Sequence, residues 1–379
     1  MLGFKLIPFS FEKLLCIFAV ATLTNCTGIA ERMENKGILL NKIGEKRIKI
    51  DSLTSNIPQD IQIHKNDEAY IFALLNAPKN EIQLFNFQLG DLIEKKPFDE
   101  NFFGQISDFY IHTLDSIFVS SITKKSAWLV DRDNQILQTF KLNETIGSSL
   151  SIGNENIIFS NGKLIVSTQV AIFDSKGIEE APLVFVFDVQ ADAFTTPVFE
   201  YLTYPNIYED PFSPELGLYY NAFDKNSNTF YHGFSASNLV YSFDLENYEI
   251  KSIEVRPDYK FEIKNSTQAD TENINTRQYY YYSNYNYGYL LVVPIKNILI
   301  RTFYYPKKNL EENTRIQYDD LKPKFLVFSD LDSGDFLGQF ILTDKQNEGL
   351  MFSLNGKLYI NKIQDNEDEI VFEIFDFID

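Results

Sequence analysis

The side chains best suited to chemistry in this 379-residue chain lie in tyrosine-rich, partly acidic stretches. Tyr204, Tyr208, Glu209 and Asp210 share the segment Tyr-Pro-Asn-Ile-Tyr-Glu-Asp-Pro. Its two rings could stack on a sugar or peptide, and its carboxylates could hydrogen-bond the same ligand. A purely structural loop stiffened by proline fits the segment equally well. Tyr280 and Tyr282 belong to a run of four tyrosines at 279–282, with Tyr285, Tyr287, Tyr289 and Tyr305 close behind. A stacking platform is one expectation for that run. Strand packing beside a channel is the other, and tyrosine's strong strand preference favours it.

Other constellations carry less. Residues 329–335 (SDLDSGD) resemble a calcium loop through Asp330, Asp332 and Asp335. The sixth position lacks glycine and Ile341 stands where a bidentate glutamate is needed, so a hairpin turn is expected instead. The acidic run 365–369 reads as a solvated turn. His64, His112 and His232 are the only histidines, and none has a ligand-type spacing to another. We therefore expect no metal, no cofactor and no assigned catalytic residue. Paired carboxylates doing acid–base work remain open as the enzyme alternative, a hydrolase or lyase.

Location is easier to read. Lys5 and Lys13 precede an apolar run at 14–23, followed by Leu-Thr-Asn-Cys ending at Cys26. The run is about half the roughly 20 residues a membrane-spanning helix needs, and it resembles a bacterial lipoprotein signal. That resemblance implies a signal peptide over 1–25, an acylated Cys26 as membrane anchor, and a tether over 26–44. Several acyl chains together hold a protein on a membrane far more firmly than one. The implied location is the cell envelope, lipid-anchored, with the outer membrane as the expected site, periplasmic or surface-exposed. Cys16 is the only other cysteine, so the folded part has no disulfide or thiol chemistry. A net charge of −19 disfavours nucleic-acid partners.

The elements that must position these side chains repeat. Six apolar strands recur at 82–87, 127–130, 184–187, 240–243, 325–328 and 370–375, each preceded by another strand. Their mean spacing of about 58 residues suits one four-stranded propeller blade with its loops. The sixth repeat lacks its last strand, and an orphan strand at 47–53 stands before the first. Joining the two closes a ring and removes both open sheet edges. The expected fold is an all-β six-bladed propeller over 45–379, closed by an N-terminal strand. The turns after each first strand are short, as in Asn161-Gly162. The long loops, 169–181, 203–217, 256–278 and 306–322, all emerge on the opposite face, where binding is expected.

The signal, the orphan strand and repeats such as NIIFSNGKLIVST and NLVYSFDLENYEIKSIEV are similar to the Bacteroidetes lipoproteins of domain of unknown function 4221. That resemblance covers essentially the whole chain and implies a TolB-like six-bladed propeller in the cell envelope. It brings no catalytic residues. The expected function is a non-enzymatic binding module for a glycan, peptide or envelope protein.

Overall fold

The computed structural model describes residues 36–66, 69–121, 123–141, 149–150, 156–169, 183–189, 194–195, 199–201, 218–263, 274–307 and 322–378. They form a six-bladed propeller. Each blade is an antiparallel sheet whose strands, a to d, run from the axis outward.

Blade 1 is Ile61–Asn66, Ala69–Asn76, Glu81–Asn86 and Leu92–Pro97. Blade 2 is Asp108–Thr113, Ser116–Ser121, Ser126–Val130 and Ile136–Lys141. Blade 3 is Ile157–Ser160, Lys163–Gln169, Val184–Asp188 and Phe199–Tyr201. Blade 4 is Tyr219–Asp224, Thr229–Phe234, Leu239–Asp244 and Ile250–Glu254. Blade 5 is Asn286–Val293, Ile298–Tyr304, Lys324–Asp330 and Phe336–Leu342. Blade 6 is Gln346–Leu354, Lys357–Lys362 and Glu369–Ile378, completed from the other end of the sequence by Leu39–Lys49.

The inner strands read as nearly continuous apolar runs because each blade is covered on both faces. Alternate residues point to opposite sides of a strand. In strand b of blade 1, Ile71, Ala73 and Leu75 therefore pack toward blade 2, while Phe72 and Leu74 pack toward blade 6. A separate apolar cluster fills each of the six boundaries between blades, the one between blades 6 and 1 included.

That last boundary is built by the closing strand. Arg47 faces Val371 and Ile48 faces Ile370 across the ladder, and Ile48 is fully buried between Phe72, Phe352 and Phe372. The strand lies earlier than the sequence suggests, at Leu39–Lys49 in place of 47–53. Asp51 ends it: its carboxylate accepts from the Leu53 N–H at 3.0 Å and the Thr54 hydroxyl at 2.7 Å, which folds 51–54 into a turn. The tether expected over 26–44 thus gives up its last residues to the sheet. Lys36–Gly37 adds to the outer edge of blade 5, so the N-terminal segment laces two blades.

The short a–b turns are as expected. Asn161 and Gly162, and again Asn355 and Gly356, all have positive φ, the backbone of a two-residue hairpin with the right twist. Asp330 sits in a c–d hairpin, where its carboxylate accepts from the Asp332 and Ser333 N–H groups. The tyrosine run departs from expectation. It forms no strand but the C-terminal part of a helix, Ile274–Ser283.

No helix among the described residues is long and apolar enough to cross a membrane.

Candidate functional site: the axial channel

The six a strands surround a cavity of about 390 Å³ on the propeller axis. Its lining reaches the exposed side chains Lys65, at the end of strand a of blade 1, and Lys225, Asn226 and Asn355, in a–b turns. It ends inward at Asp60, which is buried. The cavity therefore opens on the short-turn face and has its floor toward the long-loop face.

The floor is a hydrogen-bonded chain that crosses four blades. Asp60 and Asp108 stand at the entry to strand a of blades 1 and 2, Asn156 at that of blade 3, and Asn221 lies in strand a of blade 4. The His232 ring nitrogen Nδ1 lies 2.8 Å from Asn221 Oδ1, and Asn221 Nδ2 donates to Asn156 Oδ1 at 3.1 Å. With its oxygen so engaged, Asn156 turns its amide N–H toward the carboxylate of Asp108. Asp108 in turn hydrogen-bonds Asp60. The chain fixes the His232 tautomer, because Asn221 Oδ1 can only accept and Nδ1 must carry the proton. Every donor points toward the two carboxyls.

Those carboxyls cannot both ionise cheaply. Burial, and then the neighbouring Asp108, push Asp60 well above the ordinary carboxylate range. Burial also pushes Asp108 up to about 6, against the pull of its hydrogen bonds from Asp60 and Asn156. Asp60 thus keeps its proton and donates it to Asp108. His232 is held neutral, its pKa lowered to about 3 by burial and by the buried Arg301 guanidinium.

Titratable side chains stand at the mouth. His64 and His112 have lowered pKa values, from burial first and the charge of Lys225 second, and His64 is lowered further by His112. Lys225 comes from blade 4, so side chains from three blades meet there. Gln62 holds blade 1 to blade 2 just below. Its amide donates to the Ile111 carbonyl at 3.1 Å and accepts from the Ile111 N–H at 2.7 Å.

The expected site residues fall elsewhere. Cys26, Tyr204, Tyr208, Glu209 and Asp210 lie outside the described residues, as do most of loops 169–181, 203–217 and 306–322. Tyr280 and Tyr305 are buried. The Tyr305 ring stacks on Tyr259 at 5.6 Å within the cluster between blades 4 and 5, so it is core and not rim. Tyr282 is half-buried, and its carbonyl accepts from the Lys307 N–H at 2.8 Å. Lys322 closes the helix that carries Tyr280 and Tyr282, donating to the Tyr281 and Asn284 carbonyls at 2.9 and 2.6 Å. Beside it, Tyr304 donates to Glu348 at 2.7 Å, and Lys324 pairs with the same carboxylate.

The sequence separated the three histidines by repeat, whereas blade packing brings His64 and His112 together. A signal for the channel was present. Asp60-Ile-Gln-Ile-His64 recurs one blade later as Asp108-Phe-Tyr-Ile-His112, and Asn156 opens the next a strand. The pattern puts an acid at the floor and a histidine at the mouth of one strand face.

No protein-family model matches the chain, and no curated protein matches it either. Solved structures do. A member of the domain of unknown function 4221 family from Bacteroides vulgatus superposes with a TM-score of 0.76 at 13% identity, covering 91% of this chain and all of that one. A Bacteroides fragilis protein named for its predicted export gives 0.57 at 12% identity, covering 92% and 98%. At these identities the likeness establishes a shared fold. The chain is a six-bladed propeller of the same architecture.

Proposed function

We propose that this chain is an exported lipoprotein, anchored through Cys26, that works as a binding module holding a small ligand in its axial channel. The observation that carries the reading is the channel itself. It is open at one end, closed at the other by a hydrogen-bonded floor, and of a size usual for small-molecule sites. Gln62, Asn226, Ser353 and Asn355 offer hydrogen bonds beside apolar walls from Phe223 and Val292. The signal-like N-terminus and the name of the Bacteroides fragilis neighbour support export. Glycans and peptides with a compact end group fit this reading.

One observation favours the enzyme alternative. Asp60 and Asp108 are two carboxyls sharing a proton at the edge of a cavity, an arrangement that can serve acid–base chemistry. Both are almost fully buried and are hydrogen-bonded to each other, leaving no substrate's width between them. The geometry thus supports binding over hydrolysis or lysis.

The test is native mass spectrometry of the full chain purified from its own envelope, beside Ser353→Trp. Ser353 is half-buried and lines the channel, so the indole fills space without displacing core. A small molecule that accompanies the parent chain and is lost from the variant supports the reading. A chain carrying no small molecule, or one retaining it with the channel filled, overturns it.

A further inference from the structure

The polar side chains along the axial channel are largely spent on the protein itself. Asn221 gives its oxygen to His232 and its N–H to Asn156. Asp60 is engaged with Asp108 and accepts from the Ile61 N–H at 2.8 Å. Asp224 accepts from the Asn226 N–H at 2.8 Å and the Ser227 hydroxyl at 2.7 Å, both within its own turn. Gln62 spends one N–H and one oxygen lone pair on the peptide of Ile111.

Carbon makes up most of the remaining wall. Each blade lends the cavity an apolar side chain from its strand a: Ile63, Ile111, Ile157, Phe223, Leu291 and Met351. Five of the six are aliphatic. Water in a space of about 390 Å³ walled in this way finds too few of the two to four polar partners it needs. An apolar group that displaces it is favoured.

The wall continues out to the surface at blade 5. The a–b turn there is a 3-10 turn, Pro294–Lys296, longer than the Asn-Gly hairpins of blades 3 and 6. It is pinned from behind, because Asn297 Nδ2 donates to Asp330 and Asp332, each at 3.1 Å. It carries Ile295, which lines the cavity and is 71% exposed, the most exposed large apolar side chain among the described residues. A single exposed isoleucine is ordinary. This one extends an apolar wall to its opening, with the polar Ser353 and Asn355 on the neighbouring blade.

Resting on the channel reading above, we infer that the ligand is a small amphiphile whose aliphatic end fills the channel. Its polar end stays at the mouth, within reach of Ser353 and Asn355.

Met351 makes this readable by NMR with labelled methionine methyl groups. It lines the channel and is the only methionine among the described residues, and Met351→Leu assigns its signal. The full chain carries Cys26→Ala, so that neither acyl chain nor detergent competes. The probes are 1-butanol, 1-hexanol and 1-octanol, with glucose as the polar probe. The expected result is a saturable shift of the Met351 methyl, with affinity rising about 3- to 4-fold for each added CH₂. A rise that continues to octanol points to an acyl-type chain, and one that stops at hexanol to a group of side-chain size. Ser353→Trp should abolish the shift. Ile295→Asp, an exposed change that leaves the core intact, should weaken octanol by about 3-fold or more. A Met351 methyl that no alkanol moves, a shift that survives in Ser353→Trp, or a response to glucose alone overturns the inference. A response to glucose alone would leave the channel reading standing, and that reading is judged separately by the molecule that copurifies with the parent chain.

Discussion

Replacing Asp108 with asparagine should make the protein more stable at neutral and alkaline pH and not at pH 4. Asp108 titrates near 3.8 when solvated and at about 6 in the fold, because burial disfavours its charge. Between those values the folded chain binds more protons than the unfolded chain. Stability therefore falls as pH rises through the folded pKa. A carboxyl raised by this much costs on the order of 3 kcal/mol once it is ionised. Asp108→Asn removes that cost and keeps the network: its amide N–H can donate to Asp60, and its oxygen can accept from Asn156. His232 acts in the opposite sense, since a depressed pKa costs stability as pH falls below about 6.5. The quantity to measure is thus the difference between variant and parent at each pH, in which His232 cancels. Urea unfolding followed by the fluorescence of Trp128 suits this. Trp128 is the only tryptophan and is buried in the cluster between blades 1 and 2. The difference should move by about 2 to 3 kcal/mol in the variant's favour between pH 4 and pH 8. A difference that is flat with pH, or that moves the other way, refutes the shared-proton floor.

Three further outcomes follow from the same structure. His232→Asn keeps an N–H for Asn221 and removes the buried base, so its acid limb should be flatter than the parent's below pH 6.5; an unchanged acid limb in urea titrations counts against a neutral buried His232. Ile48→Asp places a charge in the fully buried boundary between blades 6 and 1 and should cost about 3 kcal/mol or more, lowering the unfolding midpoint of the whole ring; a midpoint equal to the parent's would mean the closing strand adds nothing. Cys26→Ala should abolish palmitate labelling and release the protein from the membrane fraction, whereas labelling that persists in the variant removes the anchor from this account.

The blade count was legible because b and c strands buried on both faces read as apolar runs, as in VFVFD of blade 3 and KFLVFSD of blade 5. The closing strand was legible only in its buried half. Its first residues, Leu39 to Ile43, alternate poorly because they form an outer edge that is mostly exposed. The helix Ile274–Ser283 was hidden for a different reason. Tyrosine propensity points to strand, whereas the helix end is satisfied by Lys322, a residue that no local pattern connects to it. The channel floor and mouth were hidden because each blade contributes one or two residues. Asp60, Asp108, Asn156 and Asn221 are ordinary polar residues in sequence, and only the ring of blades makes them one chain.

The central claim is that the axial channel is where this protein meets its ligand. A crystal structure of the full chain grown with the molecule that copurifies from the envelope tests it most directly. The account predicts density in the channel, beside Gln62 and Ser353. Density confined to the long-loop face, with the channel unchanged, would contradict it.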